Sequence, residues 1–224
     1  MMLSAVMEDY LKAIYHLQQE TDGRVGTSMI AEHLGVTPPT VSSMLDKLEE
    51  RELIDREKYK GVSLTTDGER VALEVIRHHR LLESYLTEHL DYSWAEVHEE
   101  ADTLEHYISE DLADRVAARL DDPETDPHGD PIPNSTLELP ERHAGTALPE
   151  FDEDTVVVIE RVSDRDAEVL GYLFDHGIEP GAELVIVEVA PFGLYTLKSL
   201  ADDQVVSLPE HVAQNVRVSR VEPS

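Results

Sequence analysis

Along residues 4 to 19, Val6, Tyr10, Ala13, Ile14 and Leu17 recur at helical spacing, and Asp22-Gly23 closes the run. This predicts a first amphipathic helix. Thr27-Ser28 then caps a short helical pattern over Met29 to Leu34, Gly35-Val36-Thr37 makes a turn, and Pro38 to Leu48 is a second short helix with Val41, Leu45 and Leu48 inward. A turn glycine suits a left-handed helix end and prolines suit a first helical turn, so the segment reads as helix-turn-helix. After Leu53-Ile54, residues 55 to 65 read as a hairpin with Gly61 at its tip and a basic edge, the wing of a winged helix. Thr66-Asp67-Gly68-Glu69 then caps a long helix.

Residues 69 to 90 and 94 to 120 give two long helical patterns split by Asp91-Tyr92-Ser93-Trp94, with Val71, Val75, Leu82, Tyr85, Leu86, Val97, Leu104, Ile108 and Leu112 as their apolar positions. That face is too long for one small domain to cover, and a homodimer interface is its natural use. Residues 121 to 150 are rich in Pro, Asp and Gly and read as a linker around Asp126-Pro127-His128-Gly129-Asp130-Pro131-Ile132-Pro133. Beyond Phe151, the apolar runs 155–159, 183–189, 194–197 and 204–208 are short strand signals, and 166–176 is the one helical stretch. Evenly spaced strands of this kind predict a small β-barrel. The expected fold class is α+β: a winged-helix domain over 1–72, a helical domain over 73–140, a linker over 141–150 and a barrel over 151–224.

Composition narrows the chemistry. With no Cys, disulfides, thiolate metal sites and cysteine nucleophiles are all excluded, so a metal must sit on O and N ligands. No apolar run is long enough to cross a membrane and no leader is evident, which predicts a cytoplasmic protein. The net charge of −30 at first argues against a nucleic-acid partner. Residues 1–72, however, carry 8 Lys and Arg against 13 Asp and Glu, whereas residues 73–224 carry 10 against 35, so the excess lies outside the first third. Three of only five lysines, Lys47, Lys58 and Lys60, fall in the predicted DNA reader. An acidic, Lys-poor surface without long charge blocks points to a halophile. In molar salt self-repulsion is screened and close contacts must carry DNA binding.

In a winged helix the second helix of the motif enters the major groove and the wing lies on flanking backbone. Thr40 and Ser42 are placed to meet phosphates and Pro39 and Ser43 to meet base edges, with Thr37, Lys47, Lys58 and Lys60 as further DNA-binding candidates.

His, Asp and Glu also recur on the long helices at spacings that put them on single faces. His79 and Glu83 are four apart, as are His98 and Asp102, and Asp102 leads to Glu105 and His106 one turn on. Asp9 on the first helix can complete a site. With 48 acidic residues any one carboxylate is more simply a solvated position, and the discriminating residue is His, of which there are 11.

Met7-Glu8-Asp9-Tyr10-Leu11, Val36 to Leu48, Glu57 to Thr65, His79-Arg80-Leu81-Leu82-Glu83, Val97 to Asp102, Glu105-His106 and Pro127 to Pro133 together resemble the DtxR/MntR family of metal-dependent repressors, over essentially the whole length. The resemblance implies a homodimer that binds palindromic double-stranded operator DNA when metal is bound, with no membrane or small-molecule substrate, and repression of metal-uptake genes. It implies a primary site of Asp9, Asp102, Glu105 and His106 and an ancillary site of His79, Glu83 and His98. Asp126 and His128 match a motif that supplies second-site ligands in some members, competing with His98 as partners of Glu83. The segment from 151 resembles the SH3-like, FeoA-like domain of longer members, marked by Gly177-Ile178-Glu179-Pro180-Gly181, from which Asp166 or Glu168 can reach the ancillary ion.

Carboxylates at Asp9 and Asp102, where iron-responsive members carry sulfur, favour Mn(II), with Fe(II) as the alternative. Lys12 stands where some manganese sensors have a Glu ligand, which argues against a tight two-manganese cluster. The competing functions are a metal-dependent hydrolase on His79, Glu83, His98 and His106, and a metal-buffering or iron-transport accessory protein. Neither accounts for the helix-turn-helix, and no enzyme is expected. The composition and the resemblance together point to a halophilic archaeon.

Overall fold

The computed structural model describes residues 3–21, 23–57, 60–140, 145–163 and 166–221. Asp22, at the expected helix stop, and Lys58 and Tyr59, in the expected wing, lie outside them. By their contacts the described residues fall into two compact units: residues 1–79, 104–114 and 133–138 form the first, and 80–103, 115–132 and 139–224 the second.

In the first unit, α1 (Ala5–Thr21) buries Met7, Tyr10, Leu11, Ile14 and Leu17. Val6, expected inside, is 52% exposed, because the inward stripe runs through Met7 instead. The helix-turn-helix follows as α2 (Thr27–His33) and α3 (Pro38–Glu49), with Gly35 between them at φ 64°. Neither Thr27 nor Ser28 caps α2: the cap position is Gly26, in extended conformation and without a side-chain bond. Val41, Leu45 and Leu48 of α3 are fully buried against Leu11, Ile14 and Ile30, which fixes the outer face of α3. Strands β1 (Ile54–Glu57) and β2 (Gly61–Leu64) pair antiparallel as the wing, and Val25 adds a bridge to Val62 through two backbone bonds of 2.8 and 2.9 Å. Gly61, at φ 96°, lies so close to this bridge that a Cβ would fall 2.3 Å from the Val25 carbonyl oxygen. The start of β2 is therefore held against Val25 by a residue that only Gly can be.

Helix α4 (Thr66–Leu90) takes in its expected capping run and starts three residues before the expected 69, with the Thr65 hydroxyl accepting from the Gly68 N–H at 3.1 Å. The pattern expected to be one helix over 94–120 is two: α5 (Trp94–Leu104) and α6 (Glu110–Arg119), separated by a turn through Glu105, His106 and Tyr107. Ser109 ends this break, its hydroxyl accepting from the Leu112 N–H at 3.3 Å. One consequence is that Leu112 is 45% exposed, off the inward face of α6, where Ala113, Val116 and Ala117 are buried.

In the second unit, the segment expected to be a linker is instead closely built. Thr125 bridges Pro131, and the Asp126 carboxylate accepts the backbone N–H groups of His128 and Asp130, each at 2.9 Å. The loop docks on β4 (Val156–Val162): the Val162 N–H donates to the His128 carbonyl at 2.9 Å, and a Cβ on Gly129 would fall 2.1 Å from the Glu160 carbonyl oxygen. The remaining strands are β3 (Thr146–Ala147), β5 (Glu183–Ala190), β6 (Leu194–Ser199), β7 (Val205–Pro209) and β8 (Val216–Arg220). With β4 they form one antiparallel sheet in the order β3-β8-β4-β5-β6-β7. It closes over a core of Val157, Ile159, Leu184, Ile186, Leu197, Leu208 and Val218 together with Leu170 and Leu173 of α7 (Ala167–Asp175). A four-residue helix, α8 (Glu210–Ala213), precedes β8. No helix is long and apolar enough to cross a membrane among the described residues.

Candidate metal centres and DNA-reading face

Helix α1 turns its apolar stripe inward, which leaves Glu8, Asp9 and Lys12 half-buried along one edge. The break after α5 supplies the opposing groups. Glu105 and His106 sit in that turn and not in a helix. The Glu105 backbone is held by its carbonyl, 3.2 Å from His78 Nδ1. Its carboxylate, 1% exposed, meets His79 Nδ1 at 2.6 Å through Oε2. The His106 Nε2 lies 3.0 Å from Asp9 Oδ1 and 3.5 Å from Glu105 Oε1. Asp9, Glu105 and His106 thus each offer one donor atom within 4.8 Å of the others.

Two residues at this site carry roles that the sequence did not reveal. Glu8 Oε2 lies 2.7 Å from His106 Nδ1. If that nitrogen carries the proton, the lone pair on Nε2 is left pointing at Asp9 and Glu105, the arrangement by which a second carboxylate orients a metal-ligating His. Lys12 was recognised as a departure from some manganese sensors, but not as a partner: its Nζ donates to both Glu105 oxygens, at 2.8 and 3.1 Å, and lies 3.2 Å from His79 Nδ1. Both side chains belong to ordinary helical acid and base positions, and only the fold gives them a partner.

Asp102, the fourth residue expected at the primary site, is exposed near the end of α5, with its carboxylate 3.5 Å from His98 Nε2. In the second unit Glu83 is fully buried on α4, and its two oxygens are divided: Oε1 faces His98 Nδ1 at 3.1 Å and Oε2 faces His128 Nδ1 at 3.6 Å. His98 and His128 therefore do not exclude each other as neighbours of Glu83. Glu83, Asp126 and His128 also bring one donor atom each within 4.8 Å of the others, all three residues being buried, and the Trp94 ring stands edge-on to His128 at 5.0 Å. Arg80 lies between Asp126, at 3.7 Å, and Asp130, at 3.1 Å, and Asp130 also accepts from Arg161 at 2.8 Å. Burial, then the nearby charges of Asp130 and Glu83, push the Asp126 carboxyl up to about 8 despite Arg80 and His128. A carboxyl so placed holds a proton or shares a bound cation. Asp166 is spent locally: it caps α7 by accepting the N–H groups of Glu168 and Val169, at 3.0 and 3.1 Å, and both Asp166 and Glu168 are exposed.

The donor sets fit a divalent ion. Both clusters combine carboxylate oxygens with imidazole nitrogen, have no sulfur, and place at least one carboxylate where water cannot solvate it. Hard oxygen and borderline nitrogen donors of this kind suit Mn(II) or Fe(II).

The DNA-reading face is set by the core beneath α3. Thr37 begins the helix in extended conformation and its hydroxyl lies 2.9 Å from that of Thr40. Pro39, Thr40, Ser43 and Lys47 are exposed and Ser42 is half-buried, all on the side opposite Val41, Leu45 and Leu48. Arg56 of β1 reaches Asp46 of α3 at 2.6 Å, tying the wing to the reading helix. Arg24 pairs with Asp55 and, at 3.0 Å, with Glu57, which also takes Lys60 at 2.8 Å. Arg24 and Arg56 were not among the expected DNA-face residues. Their partners are far apart in sequence and visible only once the wing is folded.

The sequence matches three family descriptions in chain order: the N-terminal DNA-binding domain of iron-dependent repressors over residues 2–62, their metal-binding and dimerisation domain over 65–134, and a FeoA domain over 146–220. The iron-dependent repressor IdeR of Mycobacterium leprae (strain TN) is 35% identical over 227 residues, covering 96% of each chain. The diphtheria toxin repressor of Corynebacterium glutamicum is 31% identical with the same coverage. A manganese-dependent transcriptional repressor solved in complex with manganese superposes with a TM-score of 0.87 at 36% identity, over 96% of this chain and 100% of that one, and the manganese regulator SloR with 0.77 at 35%, over 96% and 98%.

A winged helix joined to a helical domain bearing carboxylate–imidazole clusters and to a FeoA-like barrel defines the class as metal-dependent DNA-binding regulators. The chain belongs to the iron-dependent repressor family. It is a metal-dependent transcriptional repressor and not an enzyme, so the hydrolase reading of the His and Glu cluster falls, and a buffering role without DNA binding leaves the DNA-binding domain unexplained.

Proposed function

We propose that the chain is a homodimeric, manganese-leaning repressor that closes on a palindromic operator of metal-uptake genes in a salty cytoplasm, such as that of a halophilic archaeon. The observation that carries this reading is the meeting of Asp9 Oδ1, Glu105 Oε1 and His106 Nε2, one group from α1 and two from the break after α5. Asp9, Glu105 and His106, with Asp102 one turn earlier on α5, are the primary ligands; His79, Glu83 and His98 are the ancillary ones, with Asp126 and His128 on the other oxygen of Glu83. Bound metal would supply positive charge between the Asp9 and Glu105 carboxylates. Asp9 would then hold α1 to the turn, and through Leu11 and Ile14 the packing of α1 fixes α2 and α3, which present Thr37, Pro39, Thr40, Ser42, Ser43 and Lys47, with Lys60 of the wing; Lys58, also expected to meet DNA, lies outside the described residues. All-oxygen and imidazole donors favour Mn(II), with Fe(II) as the alternative.

The test is a footprint and an anisotropy titration on the native promoter at high KCl, with and without Mn(II) or Fe(II). Asp9→Ala should fold normally and lose metal-dependent binding, by a factor of about 100 or more if the ligand is essential. Metal-stimulated binding that survives intact in Asp9→Ala sinks the primary-site assignment.

A further inference from the structure

The primary cluster contains its own cation. Lys12 lies four residues after Glu8 and three after Asp9 on α1, so all three side chains leave the helix along one edge. Its Nζ donates to both oxygens of Glu105, at 2.8 and 3.1 Å, and lies 3.2 Å from His79 Nδ1. Glu105 is 1% exposed and Lys12 17% exposed, so this is a pair withdrawn from solvent. A buried carboxylate without compensation is costly, and here the ammonium compensates it. One Glu105 oxygen, Oε1, also lies 3.5 Å from His106 Nε2. The same oxygen serves the ammonium and the proposed metal.

We propose that Lys12 sets the metal threshold of the repressor by occupying, as an ammonium, the electrostatic place of the ion against Glu105, so that metal enters only by displacing it. This rests on the primary site proposed above. The ammonium keeps its proton throughout; it gives up Glu105 and swings toward the solvent edge of α1. The competing role for Lys12 is to position Glu105 as a ligand, and the two roles predict opposite effects of removing it.

The experiment titrates Mn(II) into the full-length wild type, Lys12→Gln and Lys12→Arg by calorimetry, with melting in chelator as a second readout. Competition predicts about tenfold tighter Mn(II) binding in Lys12→Gln, the scale of one nearby charge, and operator binding at correspondingly lower Mn(II). It also predicts a lower metal-free melting temperature in Lys12→Gln, with a larger rise on adding Mn(II) than in the wild type. Lys12→Arg keeps the charge and can grip Glu105 through two N–H groups, so its Mn(II) affinity should not exceed that of the wild type. Affinity unchanged or weakened in a folded Lys12→Gln overturns the proposal in favour of positioning, and so does Lys12→Arg binding more tightly than the wild type. If Lys12→Gln does not fold, the Lys12→Arg comparison decides. Absence of any Mn(II) or Fe(II) binding by the wild type would instead remove the metal site itself, a separate failure.

Discussion

At the scale of single residues, the primary cluster depends on which nitrogen of His106 is free. Glu8, 2.7 Å from Nδ1, fixes that choice while Asp9 faces Nε2 at 3.0 Å. Glu8→Ala should therefore weaken Mn(II) binding by about 10- to 100-fold without removing a ligand, the usual cost of losing a carboxylate behind a metal-binding His. A calorimetric Mn(II) titration reads this directly, and an unchanged affinity would assign Glu8 to surface charge alone. Asp9, Glu105 and His106 were legible in the sequence through a resemblance to a known family, and His was the residue that lifted the pattern above the acidic background. Glu8 and Lys12 were not legible. A carboxylate among 48 acidic residues carries no signal by itself, and helical spacing along α1 says nothing about a turn nearly a hundred positions away.

At the scale of elements, hydrophobic spacing predicts helices well and their stops poorly. Val97, Leu104, Ile108 and Leu112 keep helical spacing straight through the break, so periodicity alone could not place a turn at Glu105 to Tyr107. Ser109 is a weak stop signal, and the break becomes evident only from burial, where Leu112 faces out and Ala113 faces in. The helix-turn-helix and wing were legible because each turn is marked by Gly and each buried position by an aliphatic residue. Within that element the charges are balanced internally: Arg56 is held by Asp46, and Arg24 and Lys60 by carboxylates of the wing. A cation that trades a carboxylate for a phosphate releases fewer ions from DNA than one that starts exposed, so binding should resist salt. Asp46→Asn frees Arg56. It should tighten binding at low salt and steepen the slope of log affinity against log KCl by about one, the increment for one phosphate contact. An anisotropy titration across a KCl series checks both, and parallel lines for the two proteins would mean that Arg56 does not meet DNA.

At the scale of the whole molecule, charge is the dominant property. Even if every Lys and Arg were paired with a carboxylate, 30 acidic groups would remain uncompensated. In the second unit Glu83, Asp126 and Asp130 are all buried within one loop and helix, where Arg80 meets both aspartates and Arg161 meets Asp130. Self-repulsion among the exposed remainder falls with ionic strength, since the Debye length contracts from about 10 Å at 0.1 M to about 3 Å at 1 M salt. Repulsion is greater in the compact state than in an expanded chain, so screening should favour folding. The metal-free protein should accordingly melt at rising temperature as KCl increases toward 1 M and level off beyond, where little repulsion is left to screen. The buried clusters are hardly screened, and Mn(II) should add a further rise that persists at high KCl. Scanning calorimetry over a KCl series, in chelator and with Mn(II), separates the two contributions. A melting temperature that stays flat or falls between low salt and 1 M would show that the acidic surface does not strain the fold, and that the charge serves solubility alone.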